Sequence, residues 1–168
     1  LTYALPQELQ TMRDEGIGIA YTIRDTASGN ILTSAESAAP VITLESGKVY
    51  EADIRLASGK DYQFVALRVP VPSGAEILDA AFVTTAALQD TEDEEYKEED
   101  TFRYLSSQRI YDNEVQYFWD EWPQGSWAIR FKFRAARRGV FPCPPATAEC
   151  MYEPEIFGRS SGALFVIQ

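Results

Sequence analysis

Histidine is absent from this 168-residue chain, and cysteine occurs only twice. Without imidazole the chain cannot build a Ser/His/Asp triad, a Cys/His dyad or a histidine-ligated zinc site. The two cysteines, Cys143 and Cys150, are separated by six residues and have no second pair beside them, a pattern that does not suit a metal ion. A bridge between them requires Pro144-Pro145 to turn the chain back, because an extended strand would hold the sulfurs too far apart. Long apolar runs are also missing: nothing approaches the ~20 residues of a membrane-spanning helix, and no basic and apolar leader stands at the start. Membrane insertion by this segment is therefore not expected. Positive charge is scarce, with 15 Lys and Arg against 26 Asp and Glu and a net charge of -11, so nucleic acid is not an expected partner. The chain begins at Leu1 rather than Met, which reads as a piece of a longer protein whose leader or anchor lies elsewhere.

What is present is globular. Hydrophobic residues make up 45% of the chain and aromatics 12%, enough for one domain with a sizeable core. The acidity is mostly local: eight carboxylates and Lys97 fall between Asp90 and Asp100, leaving the rest of the chain only mildly acidic. That run lacks the glycine and the alternating Asp/Asn ligands of a calcium loop, so it reads as an acidic, solvated, mobile loop.

The dominant pattern is a period of two, the signature of a strand with one buried and one wet face. Trp127, Ile129, Phe131, Phe133 and Ala135 alternate with Ser126, Ala128, Arg130, Lys132 and Arg134, and Val115, Tyr117 and Trp119 alternate with Glu114, Gln116 and Phe118. The break at Asp120–Gly125 contains Pro123 and predicts an antiparallel hairpin. Further alternating or apolar runs cover Ile17–Ile23, Val41–Leu44 and Tyr50–Leu56. Ser58–Asp61 reads as a hairpin loop into Tyr62–Val69, whose apolar residues on both faces suit a central strand. Phe82–Thr85 and Ala163–Ile167 are further strands. Val140–Ile156 carries four prolines, Pro142, Pro144, Pro145 and Pro154, and is expected to be extended and kept out of the middle of a sheet. Such strands, with turn signals roughly every 8 to 15 residues, describe an all-β fold: an antiparallel β-sandwich in a single domain over residues 1–168. Residues 1–15 are either a linker or its first strand.

Three groups of side chains invite a chemical reading. Asp112/Glu114 and Asp120/Glu121 are the carboxylates a glycosidase would need, but Asp112 and Asp120 fall at turns, where Asp satisfies its own backbone. Trp119, Trp122 and Trp127 raise a second class of function, the stacking platform of a cell-envelope carbohydrate-binding or adhesion sandwich. Trp119 and Trp127 lie on apolar faces and read as core, which leaves Trp122, beside Pro123, as the exposed member. Met151-Tyr152 follows the proline-rich stretch, and packing at the sandwich edge is the ordinary role of such a pair.

The order of several short motifs carries a resemblance. Tyr111-Asp112-Asn113 through Gly125, Phe131-Lys132-Phe133-Arg134-Ala135, Gly139-Val140-Phe141, Pro144-Pro145, Ala148-Glu149, Met151-Tyr152, Pro154-Glu155 and Gly158-Arg159-Ser160 together resemble the last domain of bacterial alpha-2-macroglobulins. Earlier, Val69–Glu76 is similar to the family's strand that ends in a Leu-Pro-Ala-Gly-like turn. The resemblance implies a non-catalytic, C-terminal macroglobulin-like sandwich, without a cofactor, in a protein of the bacterial cell envelope, periplasmic or extracellular, that traps target proteases. It implies that the partners are the thioester domain and other macroglobulin-like domains of the same chain. It further implies that Met151 and Tyr152 cover the thioester until a bait region is cut. The thioester itself needs a Cys-x-x-Gln motif, which this segment lacks. An oxidising envelope would favour a Cys143–Cys150 disulfide.

Overall fold

The computed structural model describes residues 11–32, 40–78 and 104–168. The expected acidic loop at Asp90–Asp100 and the expected strand at Phe82–Thr85 lie outside the described residues. All regular structure among the described residues is β, in three sheets. The six-stranded sheet runs in the order β1 (Arg13–Glu15), β12 (Glu153–Arg159), β11 (Thr147–Cys150), β5 (Tyr62–Pro70), β8 (Glu114–Trp122) and β7 (Leu105–Ile110). A four-stranded sheet runs β2 (Ile17–Asp25), β4 (Val49–Ser58), β9 (Gly125–Ala135), β6 (Ala75–Leu78). The third sheet holds β10 (Gly139–Cys143), β13 (Ala163–Ile167) and β3 (Val41–Leu44). The described strands pair antiparallel, apart from β3, which lies parallel to β13 with Val41 beside Leu164.

Alternation selects what is buried. Trp127, Ile129, Phe131, Phe133 and Ala135 of β9 face inward, as do Tyr50, Ala52, Ile54 and Leu56 of β4 and Val115, Tyr117 and Trp119 of β8, and side chains of all three sheets meet in one core. β5 is flanked by β11 and β8, the central position its two-sided apolar pattern suggests.

Neither expected hairpin forms. β8 and β9 belong to different sheets, as do β4 and β5, so the two connections are corners at which the chain crosses between layers. The reason is side-chain volume. Trp119, Trp122 and Trp127 pack on one another across the core, with ring centroids 4.7 Å apart for Trp119–Trp122 and 5.3 Å for Trp122–Trp127, and a flat hairpin would turn this apolar surface to water. The corners lie side by side: Trp122 pairs with Tyr62 and Gly125 with Ser58. The Gln124 N–H donates to the Asp61 carboxylate at 2.8 Å, and the Trp122 indole N–H to the Ser58 hydroxyl at 3.1 Å.

The proline-rich segment also departs from expectation, because β11 and β12 are interior strands of the six-stranded sheet. The prolines avoid the ladder instead of the sheet. Pro144 and Pro145 sit in the connection before β11, and Pro154 sits in the irregularity where the β11–β12 register jumps from Glu149↔Phe157 to Cys150↔Glu153. Pro142 does pair, but on β10, the outer strand of its sheet, where a missing N–H can face away from the ladder. A third corner, at Gly16 (φ 106°), carries the chain from β1 into β2. Residues 13–15, expected in a linker or first strand, are thus a short strand.

Candidate functional site

The turn between β11 and β12 is the candidate site. In β11, Ala148 and Cys150 are buried while Glu149 points out, so the strand is anchored up to its last residue. Met151 and Tyr152 then form the turn, and Glu153 pairs back with Cys150. Register carries the turn to the same end of the sandwich as the corners at Gly16, Ser58–Asp61 and Trp122–Gly125. Met151 is 53% exposed and Tyr152 75%, so neither is a core residue.

A third apolar side chain completes the cluster. Phe64, on β5, is 40% exposed and presents its ring to Tyr152 edge-to-face, with centroids 5.1 Å apart and an interplanar angle of 90°. Its carbonyl accepts the Met151 N–H at 2.9 Å, which ties the turn to the central strand. Neither turn residue has a positive φ; the left-handed residue is Phe64 itself, at φ 55°. In the sequence Phe64 does not stand out, because it merges into a run of apolar residues. The available signal was its parity, since Val65, Leu67 and Val69 face the core and an outward Phe in that register needs another reason. Exposed carboxylates of Glu149, Glu153 and Glu155 rim the apolar tip.

Cys143 and Cys150 do not come together. The possible disulfide is not formed: both are buried free thiols, Cys143 paired with Ala163 in the three-stranded sheet and Cys150 with Val65 in the six-stranded one. The chain between them runs on from one sheet into the other and never turns back. Burial raises the Cys143 thiol to about 12. Burial also raises Cys150, with help from the carboxylates of Glu153 and Glu155. Thiols held protonated in this way are poor nucleophiles.

The tryptophan platform is absent, since Trp122, expected to be exposed, is 2% exposed and forms the last residue of β8. Its rings and its indole hydrogen bond are used in the corner, which removes the residue from solvent. The carboxylates are dispersed. Glu114 pairs with Arg68 at 2.9 Å at the start of β8, and Asp120 lies near its other end, about 20 Å away at the rise of a strand, beyond the separation of a glycosidase pair. Among the described residues no three His, Cys, Asp or Glu side chains gather to hold a metal ion, and no helix is long and apolar enough to cross a membrane.

One polar cluster was not anticipated. Asp53, on the outward side of β4, is 1% exposed because Arg24, Arg55 and Arg130 from three adjacent strands cover it, with guanidinium nitrogens 3.5, 3.5 and 3.6 Å from Oδ2. The cluster crosslinks β2, β4 and β9.

Comparison with known proteins gives one family. The description Bacterial Alpha-2-macroglobulin MG10 domain matches residues 16–155. An alpha-2-macroglobulin homolog from Nostoc sp. is 24% identical over 127 residues, which is 76% of this chain and 6% of that relative's length. The native conformation of Escherichia coli alpha-2-macroglobulin superposes with a TM-score of 0.73 at 14% identity, over 98% of this chain and 10% of that one. Salmonella alpha-2-macroglobulin reacted with methylamine gives 0.68 at 14% identity, over 94% of this chain and 9% of that one. At such identity the structural likeness speaks for the fold.

Proposed function

Because this chain belongs to the bacterial alpha-2-macroglobulin MG10 domain family, we propose that it is a non-catalytic, C-terminal domain of an envelope protease trap whose Met151–Tyr152 turn covers a thioester on a neighbouring domain. A thioester lasts in water only while water and amines are kept from its carbonyl, and a thioether beside an aromatic ring forms such a cover. Bait cleavage by a target protease then shifts a two-state equilibrium that this interface had biased toward the closed form. The apolar tip is large enough to set that bias. Burying a Met or Phe side chain contributes roughly 1.5–3 kcal/mol, and each 1.4 kcal/mol is about tenfold in population.

The observation that carries this reading is the exposure of both turn residues, 53% for Met151 and 75% for Tyr152, on a hairpin whose flanking Cys150 is buried. A packing role requires the opposite. In the full-length parent, Met151→Ala or Tyr152→Ala should speed the reaction of the uncleaved protein with methylamine about tenfold, equivalent to ~1.4 kcal/mol of lost protection. Thermal unfolding should shift by no more than ~0.5 kcal/mol, as for an exposed substitution. Unchanged reactivity together with a loss of several kcal/mol would make the pair ordinary core packing.

A further inference from the structure

We propose, on the shielding reading above, that Phe64 is the positioning residue that holds Tyr152 in its covering pose. A bulky side chain at φ 55° crowds the neighbouring carbonyl, and Phe64 is the non-glycine residue with a positive φ among the described residues. Such a conformation persists where the surroundings over-determine it, and here they do. On one side of β5, Gln63 and Val65 keep register with Glu121 and Trp119 of β8. On the other, Val65 pairs with Cys150 and the Phe64 carbonyl takes the Met151 N–H. With the backbone clamped from both sides, the left-handed residue directs its ring at Tyr152 rather than flat onto the sheet.

The consequence falls on Tyr152. A side chain that is 75% exposed would sample its rotamers freely. The perpendicular ring contact at 5.1 Å favours one of them before any neighbouring domain arrives. Preorganisation of this kind lowers the ordering cost of closing the interface. Phe64 therefore acts through Tyr152 and need not touch the thioester.

The test uses the full-length parent and reads two quantities, the methylamine reaction rate of the uncleaved protein and its melting temperature. Glycine adopts the left-handed backbone without crowding, so Phe64→Gly removes the ring and leaves the strand. It should react several-fold faster than wild type with an unchanged or higher melting temperature, whereas loss of a packing residue would lower it. Phe64→Leu, which keeps apolar bulk without the ring edge, should also react faster and serves if glycine loosens the strand. Phe64→Tyr should behave as wild type. Combining Phe64→Gly with Tyr152→Ala should give no more than Tyr152→Ala alone, because the two act in series. Rates that multiply in the double variant, or Phe64→Gly and Phe64→Leu rates equal to wild type while Tyr152→Ala is fast, overturn the positioning role and leave shielding intact. If Tyr152→Ala and Met151→Ala both react at the wild-type rate, shielding itself fails and the role of Phe64 fails with it.

Discussion

Burial lifts the Cys143 thiol from an ordinary value of 9.0 to about 12, and this makes stability depend on alkaline pH. A group that holds its proton more tightly when folded stabilises the fold fully below its unfolded value, and that stabilisation is lost as pH rises toward the folded value. The domain should therefore weaken from about pH 9 to about pH 12, with a slope of up to ~1.4 kcal/mol per pH unit from this thiol. Denaturant titrations at several pH values check this, and Cys143→Ala should reduce the slope at its lower end, where Cys150 also contributes, before the half-buried Tyr21 and the buried Tyr117, both raised by desolvation, begin to do so. Thiol labelling of the unfolded, unreduced chain should count two free groups, whereas none would mean a bridge. Asp53 gives a second test. Asp53→Asn removes the carboxylate shared by Arg24, Arg55 and Arg130 and should cost on the order of 3 kcal/mol in urea unfolding. A loss below ~0.5 kcal/mol would mean that the cluster contributes little. Much at this scale was legible: the inward residues of β9 and β4 follow from alternation alone. Trp122 was not, because a residue beside Pro123 reads as loop until the partners of its indole, Ser58 and Trp119, are known from tertiary structure. Asp53 reads as a wet-face residue for the same reason, since nothing local shows three arginines arriving from neighbouring strands.

Among the elements, the strands could be found from periodicity, but their partners could not. A short Pro/Gly connection between alternating runs fits a hairpin and a corner equally well, and the choice rests on where the tryptophans are buried. β11 and β12 were hidden for a different reason. Four prolines in a short segment argue against interior strands, whereas here Pro154 occupies a register irregularity and Pro144-Pro145 a connection, so the ladder loses little. The layers come close at Gly158 of β12, where an added Cβ would clash with the Ile17 carbonyl oxygen of β2. A backbone atom cannot swing aside as a side chain can. Gly158→Ala should therefore cost at least the ~3 kcal/mol at the upper end for overpacked sites, and it should do so without touching the Met151–Tyr152 turn. Calorimetry would read this, and a melting temperature within a degree of wild type would show that β12 and β2 separate easily.

Across the whole molecule, the decisive connection is the parallel pairing of β3 with β13, which sets Val41 beside Leu164 and Leu44 beside Ile167. β10 lies on the other side of β13, so removal of residues 163–168 takes the middle strand from that sheet. The truncated chain should lose cooperative unfolding, seen as a broad or absent thermal transition by circular dichroism; a sharp transition would mean that the other two sheets fold without the third. The pairing also orders events in time. Contacts between such distant parts of a chain are slow to form, and folding on the millisecond-to-second scale is the expectation for this topology. On a ribosome, β3 emerges long before β13 exists. Until Ala163–Ile167 clears the exit tunnel, Ile42 and Leu44 have no strand to receive them, and the nascent chain is an open sheet available to chaperones and proteases. Protection of this domain against proteolysis should then arrive in a single step, once β13 has cleared the tunnel.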